Sequence, residues 1–199
     1  MKIGITGTIG AGKSSFSNYL RKCGYQVYDM DKVTHSFYEP QGVLYSFVID
    51  LLGDEVLNAD TTLNRQVMSD ILFRNQELLT HLEKRVFPEV ATYIEKVDTR
   101  PDELVFFEVP LLFEAKMESL FDVIVMVSAN LDIRLKRLQN RGMNPDDVKR
   151  RIKRQYSEQV KEEKSDFIIY NNDTLDALYN KMDGLLIQIQ KGGCSQCKK

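Results

Sequence analysis

The run Gly7-Thr8-Ile9-Gly10-Ala11-Gly12-Lys13-Ser14 has glycine at its first and sixth places, then lysine and a hydroxyl, the spacing of a loop that grips phosphate. The glycines let the backbone wrap so that several N–H groups aim inward. A helix starting at the loop's end adds free N–H groups and the positive end of its dipole. Lys13 supplies a positive charge for the β and γ phosphates, and the Ser14 hydroxyl is a ligand for the Mg²⁺ that accompanies a nucleoside triphosphate. The predicted chemistry is ATP or GTP binding, and the motif by itself does not separate kinase, ATPase and switch protein.

Carboxylates and guanidinium groups elsewhere could complete a phosphoryl transfer. Asp29-Met30-Asp31 closes a short apolar run, and strand alternation would turn both carboxylates towards the cleft where open α/β sheets bind ligands. A carboxylate there can accept the proton of an attacking hydroxyl or hold it in line; the same pair also suits a helix N-cap or a surface position. Glu108 ends the run Leu104-Val105-Phe106-Phe107-Glu108, a place from which it could hold Mg²⁺ directly or through water, and Glu114 in the following loop could face the substrate. Arg137 and Arg141 are four apart on a predicted helix and share a face, where they could stabilise a transferring phosphoryl group.

These groups need a scaffold, and the hydrophobic pattern supplies one. Lys2–Thr6, Tyr25–Asp29, Leu104–Val109, Val123–Val127 and Phe167–Tyr170 read as buried parallel strands separated by helical stretches. A helix over Ser14–Cys23 is closed by Gly24. Residues from about Val33 to Lys96 form a long helical crossover, with Leu63, Val67, Ile71 and Leu72 on one helical face and Leu78, Leu79, Leu82, Val86, Val90 and Ile94 on another. Pro88 should kink or split the latter. After the fourth strand, Leu131, Leu135 and Leu138 mark the packed side of one helix. A second helix carries Val148, Ile152, Tyr156 and Val160 at intervals of four, with Arg151, Arg154 and Gln155 nearby. Such a hairpin could fold over a nucleotide as a lid and exclude water. Leu175, Leu178, Met182, Leu185, Leu186 and Ile189 define the last helix, and the tail after Gln190 has too little apolar content to be ordered.

Composition narrows the classes further. In 199 residues, 43% apolar and 28% charged side chains with a net charge of -2 describe an ordinary globular chain with one core. No run approaches the roughly 18 apolar residues of a spanning helix, and residues 1–20 lack a signal core, so a cytoplasmic protein is expected. Eleven basic residues against five acidic ones between Arg134 and Lys164 make that segment basic, while the remainder is acidic. This argues against nucleic-acid binding, which needs a broad basic surface. Cys194 and Cys197 are half of a zinc site at most and Cys23 reads as a small packed residue, while His35 and His81 suit surface or interface positions.

From the N-terminus to about Asn172 the sequence resembles dephospho-CoA kinases. The resemblance is carried by Ile5 to Ser14, Asp29-Met30-Asp31, Leu63-Asn64-Arg65, Val109-Pro110-Leu111-Leu112-Phe113-Glu114, Arg137 with Arg141, Gln155, and Ile168-Ile169-Tyr170-Asn171-Asn172. It implies ATP-dependent phosphorylation of the ribose 3′-hydroxyl of dephospho-CoA, giving CoA and ADP, the last step of CoA biosynthesis, with Mg²⁺ accompanying ATP. The implied fold is a three-layer α/β, P-loop kinase-like one with a five-stranded parallel sheet. Its core covers about 1–32, 97–131 and 165–190, a helical CoA domain about 33–96, a lid about 132–164 and a flexible tail 191–199. Carried over residue by residue, Asp31, Lys13 and Arg137 are catalytic. Gly7, Gly10, Ala11, Gly12, Lys13, Ser14 and Ser15 hold ATP, with Arg137, Arg141, Asn171 and Asn172, the two asparagines near the adenine. Asp31, Arg65, Leu111 and Glu114 meet the acceptor, and Ser14 with Glu108 the metal. The implied partners are ATP and dephospho-CoA, for a monomer or weak homo-oligomer with no nucleic acid or membrane. The chain departs from the family's usual pattern at Phe87, which stands where His commonly precedes the proline, and at Ser165, where Ala is usual.

Two other readings compete. A nucleoside monophosphate or shikimate-type kinase shares the phosphate loop and a large second crossover. A GTP-binding switch is suggested by Asp50-Leu51-Leu52-Gly53 and Asn180-Lys181-Met182-Asp183, yet both patterns fall in predicted helices, whereas guanine reading needs loops at strand ends.

Overall fold

The strand β1 (Lys2–Gly7) runs through the middle of a sheet because its alternate side chains serve two different layers. Ile3 and Ile5 are fully buried in one core, while a Cβ on Gly4 would press on Leu112 and Phe121 from the other side. This computed structural model describes residues 1–192, and they divide into two units: Met1–Val27 with the chain from Thr99 onward, and Tyr28–Asp98.

In the first unit, β1 leads through the glycine-rich loop into α1 (Lys13–Lys22). The chain returns through β2 (Gln26–Asp29), whose last residues open the second unit. It resumes with β3 (Val105–Glu108) and β4 (Val123–Ser128). Three helices follow, α6 (Leu131–Asn140), α7 (Pro145–Arg154) and α8 (Glu158–Glu163), then β5 (Phe167–Tyr170) and α9 (Leu175–Gly192). The strand order is β2-β3-β1-β4-β5, and β1 pairs parallel with β3 and β4, as β4 does with β5. Phe16 and Leu20 of α1 and Leu178, Met182, Leu185 and Ile189 of α9 complete the core over Ile3, Ile5, Val125 and Val127.

The second unit is helical: α2 (Met30–Ser36), α3 (Tyr45–Leu52), α4 (Arg65–Arg74) and α5 (Gln76–Lys96). Asn64 caps α4 by accepting from Val67 N at 3.1 Å, and Asn75 caps α5 by accepting from Glu77 N and Leu78 N.

Several expectations need correction. Pro88 does not split α5, which continues unbroken for 21 residues. The buried run Leu79, Leu82, Val86, Val90 and Ile94 spans both sides of the proline and holds the helix together despite one missing N–H. Leu63 precedes α4, in a bridge with Leu57, and α4 buries Met68 and Leu72. On α6 it is Arg134 and Leu138 that are buried, while Leu131 and Leu135 are exposed, as is Leu175 on α9. The predicted second helix of the hairpin breaks at Gln155-Tyr156-Ser157 into α7 and α8, because the Ser157 side chain accepts from Val160 N and starts a new helix. Cys23 is exposed at the end of α1 rather than packed. Lys191 and Gly192 continue α9; the Cys194 and Cys197 pair lies outside the described residues.

Candidate active site

The phosphate loop adopts a backbone that only glycine accepts easily at its tightest point. Gly12 has φ 106°, and a Cβ there would overlap the Asn171 side-chain amide. A Cβ on Gly7 would likewise overlap the Val127 carbonyl. Gly12 is also the residue before α1, and that helix has neither a side-chain cap bond nor an acidic residue in its first turn. Its leading N–H groups and positive dipole end are therefore left to an anion.

Charged and amide side chains converge on this loop. Lys13 Nζ donates to Gly7 O at 2.9 Å and to Thr8 O at 3.3 Å, so the ammonium is folded onto the loop's own carbonyls. Asn171 Nδ2, buried, donates to Ala11 O at 2.8 Å. Arg137 Nη1 donates to Ala11 O at 3.4 Å and its Nη2 to Asn171 O at 3.0 Å. Gly12, Ser15, Arg137, Arg141, Asn171 and Leu175 line a cleft of about 310 Å³. Burial lowers the pKa of Arg137, and the neighbouring Arg141 lowers it further, the signature of two like charges sharing one space.

Glu108, the last residue of β3, is buried, and Ser14 Oγ approaches its Oε1 at 3.5 Å. A hydroxyl and a carboxylate oxygen this close suit Mg²⁺, a hard cation that takes a few protein oxygens and completes its shell with phosphate and water. Among the described residues no cluster of three or more His, Cys, Asp or Glu side chains could hold a metal without such help.

Glu114 is not free to meet a substrate through its Oε1. That atom accepts from Lys161 Nζ at 2.9 Å and from Tyr156 N at 2.7 Å, with Lys161 wholly buried. Burial lowers the Lys161 pKa and Glu114 opposes the shift. Leu111 is half-buried in the same segment. Asn172 Oδ1 accepts from Asn130 N at 2.8 Å, and the Asn171 amide is committed to the loop backbone, so both have structural partners in addition to any nucleotide contact.

In the helical unit, of the two arrangements open to Asp29 and Asp31 the structure has the helix N-cap and surface one, not two strand carboxylates pointing the same way. Asp29 ends β2 and caps α2, accepting from Lys32 N at 3.2 Å, and Asp31 is already in the first helical turn, exposed. Strand alternation therefore stops before it can act on the pair. Arg65 opens α4 and lies 3.7 Å from Glu39. His35, one helical turn beyond Asp31, has its pKa lowered by partial burial and then by Arg65, against the pull of Asp31, Asp29 and Glu39.

Two buried cations have no sequence motif to mark them: Arg134, whose Nε donates to Ala129 O at 2.9 Å and whose Nη2 pairs with Glu158 at 3.2 Å, and Lys161. Both sit in a run of charges that otherwise reads as solvated, and only their distant partners reveal them. The guanine-reading pattern Asn180 to Asp183 lies inside α9 with Met182 fully buried, and Asp50-Leu51-Leu52 lies in α3.

Comparison with known proteins decides among the kinases. The model of the CoaE family, dephospho-CoA kinase, matches residues 1–177. The chain belongs to the dephospho-CoA kinase family. It is 36% identical over 179 residues to the dephospho-CoA kinase of Listeria monocytogenes serotype 4b, covering 87% of this chain and 90% of that one. To the Fusobacterium nucleatum dephospho-CoA kinase it is 32% identical over 185 residues, covering 92% and 95%. Among solved structures, TT1252 from Thermus thermophilus superposes with TM-score 0.77 at 29% identity, covering 95% of this chain and 97% of that one. The dephospho-CoA kinase from Campylobacter jejuni gives 0.72 at 23% identity, covering 97% and 100%. Shikimate kinase from Aquifex aeolicus, at 0.53 and 15% identity over 98% and 100% of the two chains, shares the P-loop kinase fold. Membership of the dephospho-CoA kinase family makes the chain a phosphotransferase with an alcohol acceptor, acting at the last step of CoA biosynthesis. No helix among the described residues is long and apolar enough to cross a membrane.

Proposed function

We propose that this chain binds ATP through Gly7 to Ser15 and transfers its γ-phosphoryl group to the ribose 3′-hydroxyl of dephospho-CoA, releasing CoA and ADP. The observation that carries the reading is the family match over residues 1–177, with an uncapped α1 N-terminus and Lys13 at the loop it covers.

Asp31, exposed in the first turn of α2, accepts the hydroxyl proton as the oxygen attacks the γ-phosphorus. The bond from that phosphorus to the β-phosphate oxygen breaks, and the pair of electrons leaves with ADP. Loop amides and Lys13 hold the β and γ oxygens. Arg137, whose hydrogen-bond partners are neutral oxygens, offers its charge with Arg141 to the transferring group. Ser14 and Glu108 would hold Mg²⁺, which would supply positive charge to offset that of the phosphates. Arg65 binds the acceptor, and the α6–α8 segment keeps water from competing as acceptor. The working form is a monomer or weak homo-oligomer in the cytoplasm.

A coupled ADP-release assay over dephospho-CoA, AMP, shikimate and water tests the reading. Turnover at least about a hundredfold faster with dephospho-CoA is expected, since discarding a wrong acceptor costs several kcal/mol of transition-state binding. Equal or faster turnover with another acceptor would refute it.

A further inference from the structure

Gln155 lies in the break between α7 and α8, far along the chain from the phosphate loop, yet its side-chain amide is bonded into that loop. Its Oε1 accepts from Ile9 N at 3.0 Å, and its Nε2 lies 3.5 Å from Gly7 O and 3.4 Å from Pro110 O. One amide thus meets both a donor and an acceptor of the Gly7–Ile9 limb. A glutamine has the paired acceptor and donor this requires.

The far end of the amide's anchor is itself fixed. The residue after Gln155, Tyr156, donates its backbone N–H to Glu114, and Glu114 pairs with the buried Lys161, whose Nζ also donates to Pro110 O at 3.3 Å. Gln155 and Lys161 therefore meet at one carbonyl, that of Pro110, in the loop after β3. The strut ends on the phosphate loop at one side and on a buried ion pair at the other.

We propose that Gln155 is a positioning residue for the phosphate loop, keeping the Gly7–Ile9 limb in its binding shape when Lys13 turns from the loop to the nucleotide. Lys13 Nζ donates to Gly7 O and Thr8 O. An ammonium drawn to a triphosphate gives up some of those bonds, and the Gly7 carbonyl then needs another donor. Gln155 Nε2 supplies it, while Oε1 holds the Ile9 N–H and keeps the limb in register. This inference rests on the nucleotide-binding reading of the loop but not on which alcohol accepts the phosphate.

Gln155→Met keeps the length of the side chain and removes both hydrogen-bonding groups, and Gln155→Glu keeps the acceptor while losing the donor. We measure the dissociation constants of ADP and ATP by calorimetry, the exchange rate of the Ile9 amide by NMR, and steady-state constants in the full chain. Loss of about one net hydrogen bond predicts roughly 3- to 10-fold weaker nucleotide binding in Gln155→Met. Ile9 exchange should be faster by a similar factor, with the KM for dephospho-CoA unchanged. Gln155→Glu should leave Ile9 protected yet bind ATP more weakly than wild type, since a carboxylate cannot donate to Gly7 O. Unchanged Ile9 exchange and unchanged nucleotide affinity in a folded Gln155→Met would overturn the proposal. So would equal losses in both substrates' KM values, which mark a general structural role. If wild type bound no nucleotide, the reading of the loop would fail; if it bound nucleotide without phosphorylating dephospho-CoA, only the acceptor assignment would fail.

Discussion

Replacing Lys161 by methionine isolates the ion pair that ties α8 to the loop after β3. Lys161 has no exposed side-chain surface and its partner Glu114 keeps only 10%, so solvent screens the pair little. The Glu114 Oε2 atom is buried with no hydrogen-bond partner, which leaves the carboxylate dependent on what its Oε1 receives. Lys161→Met removes the ammonium, keeps most of the volume, and strands that carboxylate; breaking a buried pair from one side costs about 3–5 kcal/mol. For a chain of this size each kcal/mol is worth about 2–4 °C, so the melting temperature should fall by roughly 6–20 °C. Lys161→Met with Glu114→Gln should recover more than half of the loss, because a neutral amide is cheap to bury and its oxygen still accepts from Tyr156 N. Thermal unfolding followed by calorimetry and circular dichroism on the four members of the cycle supplies the coupling. A drop below about 2 °C in Lys161→Met, or strict additivity in the double variant, would show that the pair is not the buried, mutually dependent unit described here.

Arg137→Ala should cost about 10- to 1,000-fold in kcat, with a smaller effect on the ATP dissociation constant, because its charge is most needed as the phosphoryl group transfers; steady-state kinetics beside calorimetry separates the two. His35 should titrate below the ordinary histidine value by NMR, and Arg65→Ala should move it upward by removing a repelling charge. Because the folded value is depressed, the unfolded chain binds more protons between that value and about 6.5. Stability should therefore be complete above pH 6.5 and decline as the pH falls through the folded value. His35→Gln should flatten that part of a denaturation profile, and an unchanged slope would exclude the histidine as its source.

Much of the scaffold was legible because local and global preferences agree. Val105-Phe106-Phe107 and Val123 to Val127 are continuous apolar runs, which only strands buried on both faces require, and Gly24, at φ 88°, ends α1 where a left-handed residue fits. The phosphate loop was legible for the same reason: its glycines, lysine and serine are adjacent in sequence. Where the periodic pattern misled, a specific partner, either three residues away or far along the chain, overrode it. Asp29 follows an apolar run and caps a helix, one of the two roles its position allows, and a period of four through Val148, Ile152, Tyr156 and Val160 ignores Ser157, whose hydroxyl restarts the helix. Leu131 and Leu135 matched a helical stripe, yet α6 buries Arg134, a charge made tolerable by Ala129 O and Glu158. Glu114 pairs with Lys161, 47 residues later, an ion pair that no spacing rule announces.

Rapid-quench single-turnover transfer from γ-labelled ATP to dephospho-CoA, in wild type and in Asp31→Asn, tests the central reaction most directly. Wild type should place the label on the 3′-oxygen. In Asp31→Asn the transfer step should slow by about 10²–10⁴-fold, the usual worth of a general base, while ATP affinity stays within about twofold. Transfer at the wild-type rate in Asp31→Asn would contradict the account, as would a wild-type enzyme that labels some other position.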